Sequence, residues 1–213
     1  IAMKQRRIEE EDLGPMKLIF NYENVFYSFF YDDISGCIHR SREYAMNYVY
    51  SGEMILDNGK QQIHVGKGEC VYIPRDHHIT MYKRTFNGER YCGIFLNFTR
   101  NFLREMYAKF GQCKIPADTS KLKPEVIKLP KTAEITSLFA SLTPFFDPEV
   151  KPRDDFMHLK LQEGLLALLH IDGRFASTLF DFNEPWKIDI MDFMNKNYMY
   201  EFTMEEMAHY TGR

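Results

Sequence analysis

Short apolar runs, rich in β-branched and aromatic residues, alternate with turn residues over the first hundred positions, which is the pattern of β-strands. The dipeptide of Asn58 and Gly59 is the strongest hairpin signal, because Asn-Gly accepts the positive φ of a tight turn. About eight closely spaced strands predict two packed sheets or a closed barrel. The predicted strands cover residues 16–20, 25–31, 44–50, 53–56, 61–65, 69–73, 78–82 and 89–98.

Residues 44–50 alternate with period two, but both faces of this strand are partly apolar. One face carries Tyr44, Met46, Tyr48 and Tyr50, and the other carries Ala45, Asn47 and Val49. Because a strand exposes successive side chains on opposite faces, only one of these sets points into the barrel. The pattern leaves open which one it is.

After the strands the periodicity changes to that of helices. Thr99 can cap a helix that runs to about Phe110, residues 131–146 form a second helix, and a third begins at Asp154 or Asp155 and runs to about Ile171. The third helix is apolar on more than one face. This pattern predicts either that part of the helix pairs with a second subunit, or that it is a core helix packed on its own barrel and on the helix before it. Residues 111–130 are expected to be irregular, residues 171–185 to form a linker, and residues 186–198 to form one more helix.

The last twelve residues have the pattern of a short capped helix. Thr203 can cap its N-terminus, and Glu206 can bond back to the N–H of the cap. Met207 and Ala208, with Met204, fall on one face at helical spacing. Gly212 stands where the helix ends, a position that favours glycine.

The bulk composition is that of an ordinary soluble protein. The 213 residues carry a net charge of −3, with 45% hydrophobic and 27% charged residues. DNA-binding surfaces are usually basic, so the negative net charge argues mildly against these residues binding the phosphate backbone of DNA by themselves. The four cysteines contain no CxxC pair, which suits reduced thiols in a cytoplasm. No apolar run is long enough for a membrane span, and we expect no membrane association.

A half-motif at Gly68, Glu69, Pro74 and His78 resembles the second half of the cupin signature, in the version found in AraC-type transcription regulators. It departs from that family at Arg75, where glycine is usual. The resemblance implies a mainly β plus α fold: a cupin-like double-stranded β-barrel followed by a helical connector and the first helices of a helix-turn-helix domain. The domains expected from it are a barrel with its first following helix (1–130), a dimerisation and connector region with a linker (131–185), and the incomplete start of a DNA-binding domain (186–213).

The resemblance also implies a function, namely DNA-binding transcription regulation in which the barrel senses an effector and the helices form a homodimer. The effector is a small molecule or a protein. The candidate pocket residues are Tyr44, Tyr48, Tyr50, Arg75 and His78. The support helix of the DNA reader carries Thr203, Glu206, Met207, Ala208 and Gly212. The base-reading helix would follow Arg213, so we expect specific DNA binding only from a full-length C-terminal domain and not from these residues alone.

The main alternative is a metal-dependent cupin enzyme, an isomerase or an oxygenase. Catalytic cupins hold a metal with two histidines and a carboxylate from the first motif, but residues 44–56 contain no His-x-His. His64, His77 and His78 could still converge at a barrel mouth. No nucleophile–base arrangement and no phosphate-binding glycine loop occurs. We therefore expect a non-enzymatic cytoplasmic protein without a metal or cofactor.

Overall fold

The computed structural model describes residues 16–31, 35–110, 120–182 and 203–205. The chain divides into two compact units, residues 1–179 and 180–213, and the first of them holds the barrel and its helices. Its strands are β1 (Met16–Tyr22), β2 (Phe26–Tyr31), β3 (Ser35–Arg40), β4 (Tyr44–Ser51), β5 (Glu53–Asp57), β6 (Gln62–Gly66), β7 (Cys70–Ile73), β8 (His78–Arg84), β9 (Tyr91–Phe98) and β10 (Ile127–Lys128). Its helices are α1 (Arg100–Phe110), α2 (Ala133–Ala140), α3 (Asp154–Ile171) and α4 (Arg174–Leu179), with a 3-10 helix at Thr143–Phe146.

The strands form two antiparallel sheets that enclose one hydrophobic core. The six-stranded sheet has the order β1-β2-β9-β4-β7-β10, and the four-stranded sheet has the order β3-β8-β5-β6. Ala45 and Val71 of the first sheet and Met54 and Ile79 of the second belong to the same buried cluster. This double-sheet arrangement confirms the predicted cupin-like, mainly β plus α fold, and it identifies the inner face of β4 as the one that carries Ala45, Asn47 and Val49.

The helices cover the outer face of the six-stranded sheet. The ring of Tyr48 stacks on Phe139 of α2, with 4.8 Å between the centroids. Helix α3 approaches the sheet closely at Gly164, where an added Cβ would lie 3.0 Å from Leu96 Cδ1. The tyrosine face of β4 is therefore buried under helices rather than turned into the barrel.

Two helix predictions are confirmed, one by its capping contact and the other by its bounds. Thr99 caps α1, because its Oγ1 accepts a hydrogen bond from the Phe102 N–H at 3.3 Å. Helix α3 begins at Asp154 and ends at Ile171. None of the helices in the part of the chain that the structure describes is long and apolar enough to cross a membrane.

Four local predictions differ from the structure. Strands β3 and β10 were not predicted. The helix expected over residues 131–146 ends at Ala140 and resumes as a 3-10 turn, because Pro144 has no N–H to donate and disfavours helical backbone at Thr143. The linker expected over residues 171–185 contains α4, whose start is fixed by Asp172 Oδ1 accepting from the Arg174 N–H at 2.9 Å.

Candidate functional site

Two of the five predicted pocket residues meet at the rim of the barrel. Arg75 lies in the turn between β7 and β8, and its Nε donates to the Tyr44 hydroxyl at 3.2 Å. The same hydroxyl donates to the Thr178 carbonyl of α4 at 3.2 Å. Arg75 Nη1 also contacts Asp76 Oδ2 at 3.0 Å. We call Glu43, Tyr44, Arg75, Asp76 and Arg100 the rim cluster; it connects the barrel to the last helix of the first unit.

Glu43 is a titratable group of the rim cluster whose pKa is raised. The pKa of this carboxyl is raised to about 7, chiefly by burial; Arg75 and Arg100 act against the rise, and Asp76 adds to it. Its Oε2 is buried and has no hydrogen-bond partner among the described residues. The cluster therefore holds a carboxyl group that changes charge near neutral pH at the junction of barrel and helices.

The turn of the cupin half-motif explains how Arg75 replaces the usual glycine. The positive φ of this turn, 55°, falls on Asp76 and not on Arg75. Arg75 can therefore keep its long side chain and direct it toward Tyr44. Pro74 directly follows β7, as the half-motif predicts.

Tyr48 and Tyr50 pack under α2, on the outer face of the sheet. The Tyr50 hydroxyl donates to the Phe139 carbonyl at 2.5 Å, and burial raises the pKa of Tyr50 far above its ordinary value. Burial likewise raises the pKa of Tyr48. Their prediction as effector-pocket residues stays a prediction; the contacts described here are with the protein's own helices.

His78 is exposed at the start of β8, where its backbone is paired with Arg40 of β3. His64 lies on another strand and bonds to Glu53, with 2.8 Å between Nδ1 and Oε1. Among the described residues no group of three or more histidine, cysteine, aspartate or glutamate side chains is placed to hold a metal ion. Of the predicted pocket residues, Tyr44 and Arg75 are thus hydrogen-bonded to each other, whereas His78 is exposed at the surface.

Sequence reasoning missed the polar groups inside the barrel, of which Lys83 is the most unusual. The side chain of Lys83 is on the inner face of β8, and the residue is only 4% exposed. Its Nζ lies 4.4 Å from the ring centroid of Phe29, 5.6 Å from that of Phe95 and 5.9 Å from that of Tyr91. A buried ammonium enclosed by three aromatic rings is stabilised by their negative faces.

Tyr91 and Asn47 are two further polar side chains of this interior, and both are fully buried. The Tyr91 hydroxyl is 3.5 Å from Asn47 Oδ1 and 3.8 Å from the Met54 sulfur. The close position of that hydroxyl depends on Gly93, because a Cβ there would lie 2.2 Å from it. The interior therefore combines apolar side chains with an ammonium, a phenol and an amide. We call Asn47, Lys83 and Tyr91 the interior site.

The predicted support helix of the DNA reader lies mostly outside the described residues. Thr203 is exposed directly before a helical stretch that begins at Met204. Glu206, Met207, Ala208 and Gly212 fall beyond the described part of the chain, and so do the residues of the predicted helix at 186–198.

Comparison with known proteins supports the regulatory interpretation. The family model of the ExsA N-terminal regulatory domain matches residues 44–178. No curated protein sequence matches the chain. The match spans the strands from β4 onward and the helices through most of α4. It therefore includes the interior site and every residue of the rim cluster except Glu43.

Solved structures of ToxT from Vibrio cholerae share the fold. One gives a TM-score of 0.56 at 10% identity, over 86% of this chain and 69% of that chain. ToxT bound to (E)-4-(8-methylnaphthalen-1-yl)but-3-enoic acid gives 0.55 at 11% identity, over 93% and 72%. ToxT with a bound unsaturated fatty acid gives 0.52 at 10% identity, over 91% and 68%. At such identities the likeness establishes the fold alone.

Proposed function

This chain belongs to the family of ExsA N-terminal regulatory domains, which are domains of AraC-type transcription regulators, and from that premise we propose that its barrel senses a small organic acid. The acid binds between the two sheets at the interior site, with its carboxylate on Lys83 and its apolar body among the surrounding rings. The protein acts as a sensor and not as a catalyst.

The burial of Lys83 is the observation that carries this proposal. Removing an ammonium from water costs several kcal/mol unless an anion or other polar partners compensate. The rings of Phe29, Phe95 and Tyr91 stabilise the ammonium, and a carboxylate would add a strong charge-assisted hydrogen bond in a medium of low dielectric. An anionic ligand therefore gains more at this position than a neutral ligand of the same shape.

The remaining polar groups suit the same ligand class. The Asn47 amide donates one N–H to the Ile94 carbonyl at 3.3 Å. Its other N–H and the Tyr91 hydroxyl can donate to a second oxygen of the ligand, and the residues around them are apolar. Small-molecule sites combine apolar walls with a few convergent polar groups in this way. The two compounds bound in the ToxT structures described above are carboxylic acids with a large hydrocarbon part, which supports the choice of ligand.

Calorimetric titration with (E)-4-(8-methylnaphthalen-1-yl)but-3-enoic acid tests the proposal, with its methyl ester as the uncharged control. We expect the acid to bind and the ester to bind at least tenfold more weakly. Lys83→Met should remove the preference for the acid, whereas Lys67→Met, at an exposed lysine paired with Glu89, should keep it. Equal affinities for acid and ester in the unmodified chain would refute the assignment.

We also propose that the regulator forms a homodimer through α3. Phe156 and Leu159 are 52% and 58% exposed on this helix, whereas most large apolar side chains of the unit are buried. Burying both against a second copy would stabilise a dimer by removing apolar surface from water. We further propose that the regulator binds DNA through a C-terminal helix-turn-helix domain and acts in the cytoplasm.

The dimer proposal is checked by light scattering after size-exclusion chromatography. Leu159→Lys should convert the dimer to a monomer, because a charge would enter the buried contact. Phe86→Lys serves as the matched control, since Phe86 is also an exposed apolar residue, 49% accessible, but lies in the loop between β8 and β9. A monomeric mass for the unmodified chain at 100 µM would contradict the proposal.

A further inference from the structure

A second cleft lies outside the barrel, where the turn after β1 meets the first turns of α1 and α3. Its volume is about 510 Å³, within the range of small-molecule sites. It is separate from the interior site and shares no residue with it. It is lined by Tyr22, Glu23, Val25, Thr99, Asn101, Phe102, Glu105, Asp154, Met157, His158 and Leu161.

The floor of the cleft is apolar. Phe102 of α1 and Met157 and Leu161 of α3 are buried there, and the ring of His158 packs edge-on against Phe102 with 5.6 Å between the centroids. A ligand on this floor would remove further hydrocarbon surface from water. The floor therefore favours a ligand with a hydrocarbon body over a small inorganic ion.

The walls of the cleft carry negative charge from three separate elements. Asp154 accepts a hydrogen bond from the neutral Tyr22 hydroxyl at 2.9 Å, and Glu23 lies in the turn beside that tyrosine. Glu105 pairs with Lys109 Nζ at 2.8 Å, and His158 Nε2 lies 3.3 Å from the same oxygen. The pKa of Tyr22 is raised to about 12 by burial, by its bond to Asp154 and by the charges of Asp154 and Glu23.

We propose that this cleft binds an organic cation, a protonated amine on a hydrocarbon body. The ammonium contacts Asp154 and Glu23, and the hydrocarbon lies over Phe102, Met157 and Leu161. Charge complementarity selects this occupant, since the lining offers three carboxylates and only one imidazole. The regulator would then have two ligand sites of opposite charge preference, an acid inside the barrel and an amine in this cleft.

Titration of the 213-residue chain with 4-phenylbutylamine tests the site, and 4-phenylbutan-1-ol is the uncharged control of the same shape. The amine should bind at least tenfold more tightly than the alcohol at low ionic strength. Glu23→Gln and Asp154→Asn should each weaken the amine at least threefold, and should leave the affinity for the alcohol unchanged. Glu149→Gln, at an exposed carboxylate outside the cleft lining, and Lys67→Met, at an exposed lysine, should both bind the amine as the unmodified chain does.

Equal affinity for amine and alcohol, or full amine affinity in the Glu23→Gln variant, would overturn the proposal. Circular dichroism establishes that each variant is folded. Asp154 is the first residue of α3, so if its variant does not fold, the result for Glu23→Gln alone decides, since that exposed turn residue can lose its charge without loss of packing.

Discussion

Replacing Glu43 by glutamine should stabilise the protein at high pH and change it little at low pH. The pKa of the Glu43 carboxyl is about 7 in the folded chain, chiefly because of burial, against an ordinary value of 4.5. Above pH 7 the carboxylate is ionised in both the folded and the unfolded state, so the folded state carries the full cost of burying the charge. Below pH 4.5 the group is protonated in both states, and that cost is absent.

The size of the effect follows from the two pKa values. One pH unit of difference corresponds to about 1.4 kcal/mol, so a rise from 4.5 to about 7 corresponds to about 3 kcal/mol at pH 8. At pH 5 the Glu43 carboxyl is ionised in most unfolded chains but still protonated in the folded chain. The destabilisation caused by burying its charge is then about 1 kcal/mol. Attraction by Arg75 and Arg100 is already contained in these figures, because both arginines lower the pKa of the same group.

Urea unfolding followed by far-UV circular dichroism measures both quantities. With a slope of about 2 kcal/mol per molar urea, the midpoint of Glu43→Gln should lie about 1.5 M higher at pH 8 and about 0.5 M higher at pH 5. Glu149→Gln, at an exposed position, should shift the free energy of unfolding by less than about 0.5 kcal/mol at both pH values. Equal shifts for Glu43→Gln at the two pH values, or a loss of stability at pH 8, would refute the assigned environment of this carboxyl.

Three further substitutions test the packing. Gly93→Ala should destabilise the barrel by about 2 kcal/mol, because the new Cβ displaces the Tyr91 hydroxyl, and Tyr91→Phe should recover part of that loss in thermal unfolding. Thr132→Ala should cost about 1 kcal/mol in urea unfolding, since it removes the side-chain oxygen that accepts from the Ile135 N–H at 3.3 Å and caps α2. Tyr44→Phe should cost about 1 kcal/mol by removing the hydroxyl that donates to Thr178, and amide exchange in α4 should become faster.

Local patterns predicted most of the strands because each has its own turn residues. The hairpin at Asn58 and Gly59 forms as expected, with a φ of 82° at Gly59. Strand β3 has no comparable signal, since its ladder with β8 is a pairing between distant segments. Strand β10 has two residues and exists only through its register with β7, from Ile127 paired with Tyr72. Such non-local pairing cannot be derived from local periodicity.

The sequence of β4 alone could not show whether its tyrosine face points into the barrel or out of it, because helices that follow the barrel cover the outer face. Both faces of the strand are apolar because both are buried, one under the second sheet and the other under α2, α3 and α4. A strand covered on both sides gives no inside-outside contrast in its sequence. The pocket prediction therefore selected Tyr44, Tyr48 and Tyr50 from the side that contacts helices.

The interior site could have been found from alternation in β8. Ile79 and Met81 are apolar at period two, and Lys83 continues the same face. A lysine at a core position of a strand is rare unless it has a partner, which makes it a functional candidate. The sequence could not show that the aromatic rings of Phe29, Tyr91 and Phe95 surround Lys83, because these residues come from two other strands.

The central claim, that the space between the two sheets is an effector site for an organic acid, is tested most directly by nuclear Overhauser effects. Isotope-filtered spectra of the labelled chain with (E)-4-(8-methylnaphthalen-1-yl)but-3-enoic acid report which side chains touch the ligand. We expect contacts from the naphthalene protons to the rings of Phe29 and Phe95, lost in Lys83→Met. Contacts confined to residues outside the barrel interior, or identical contacts in Lys83→Met, would contradict the claim.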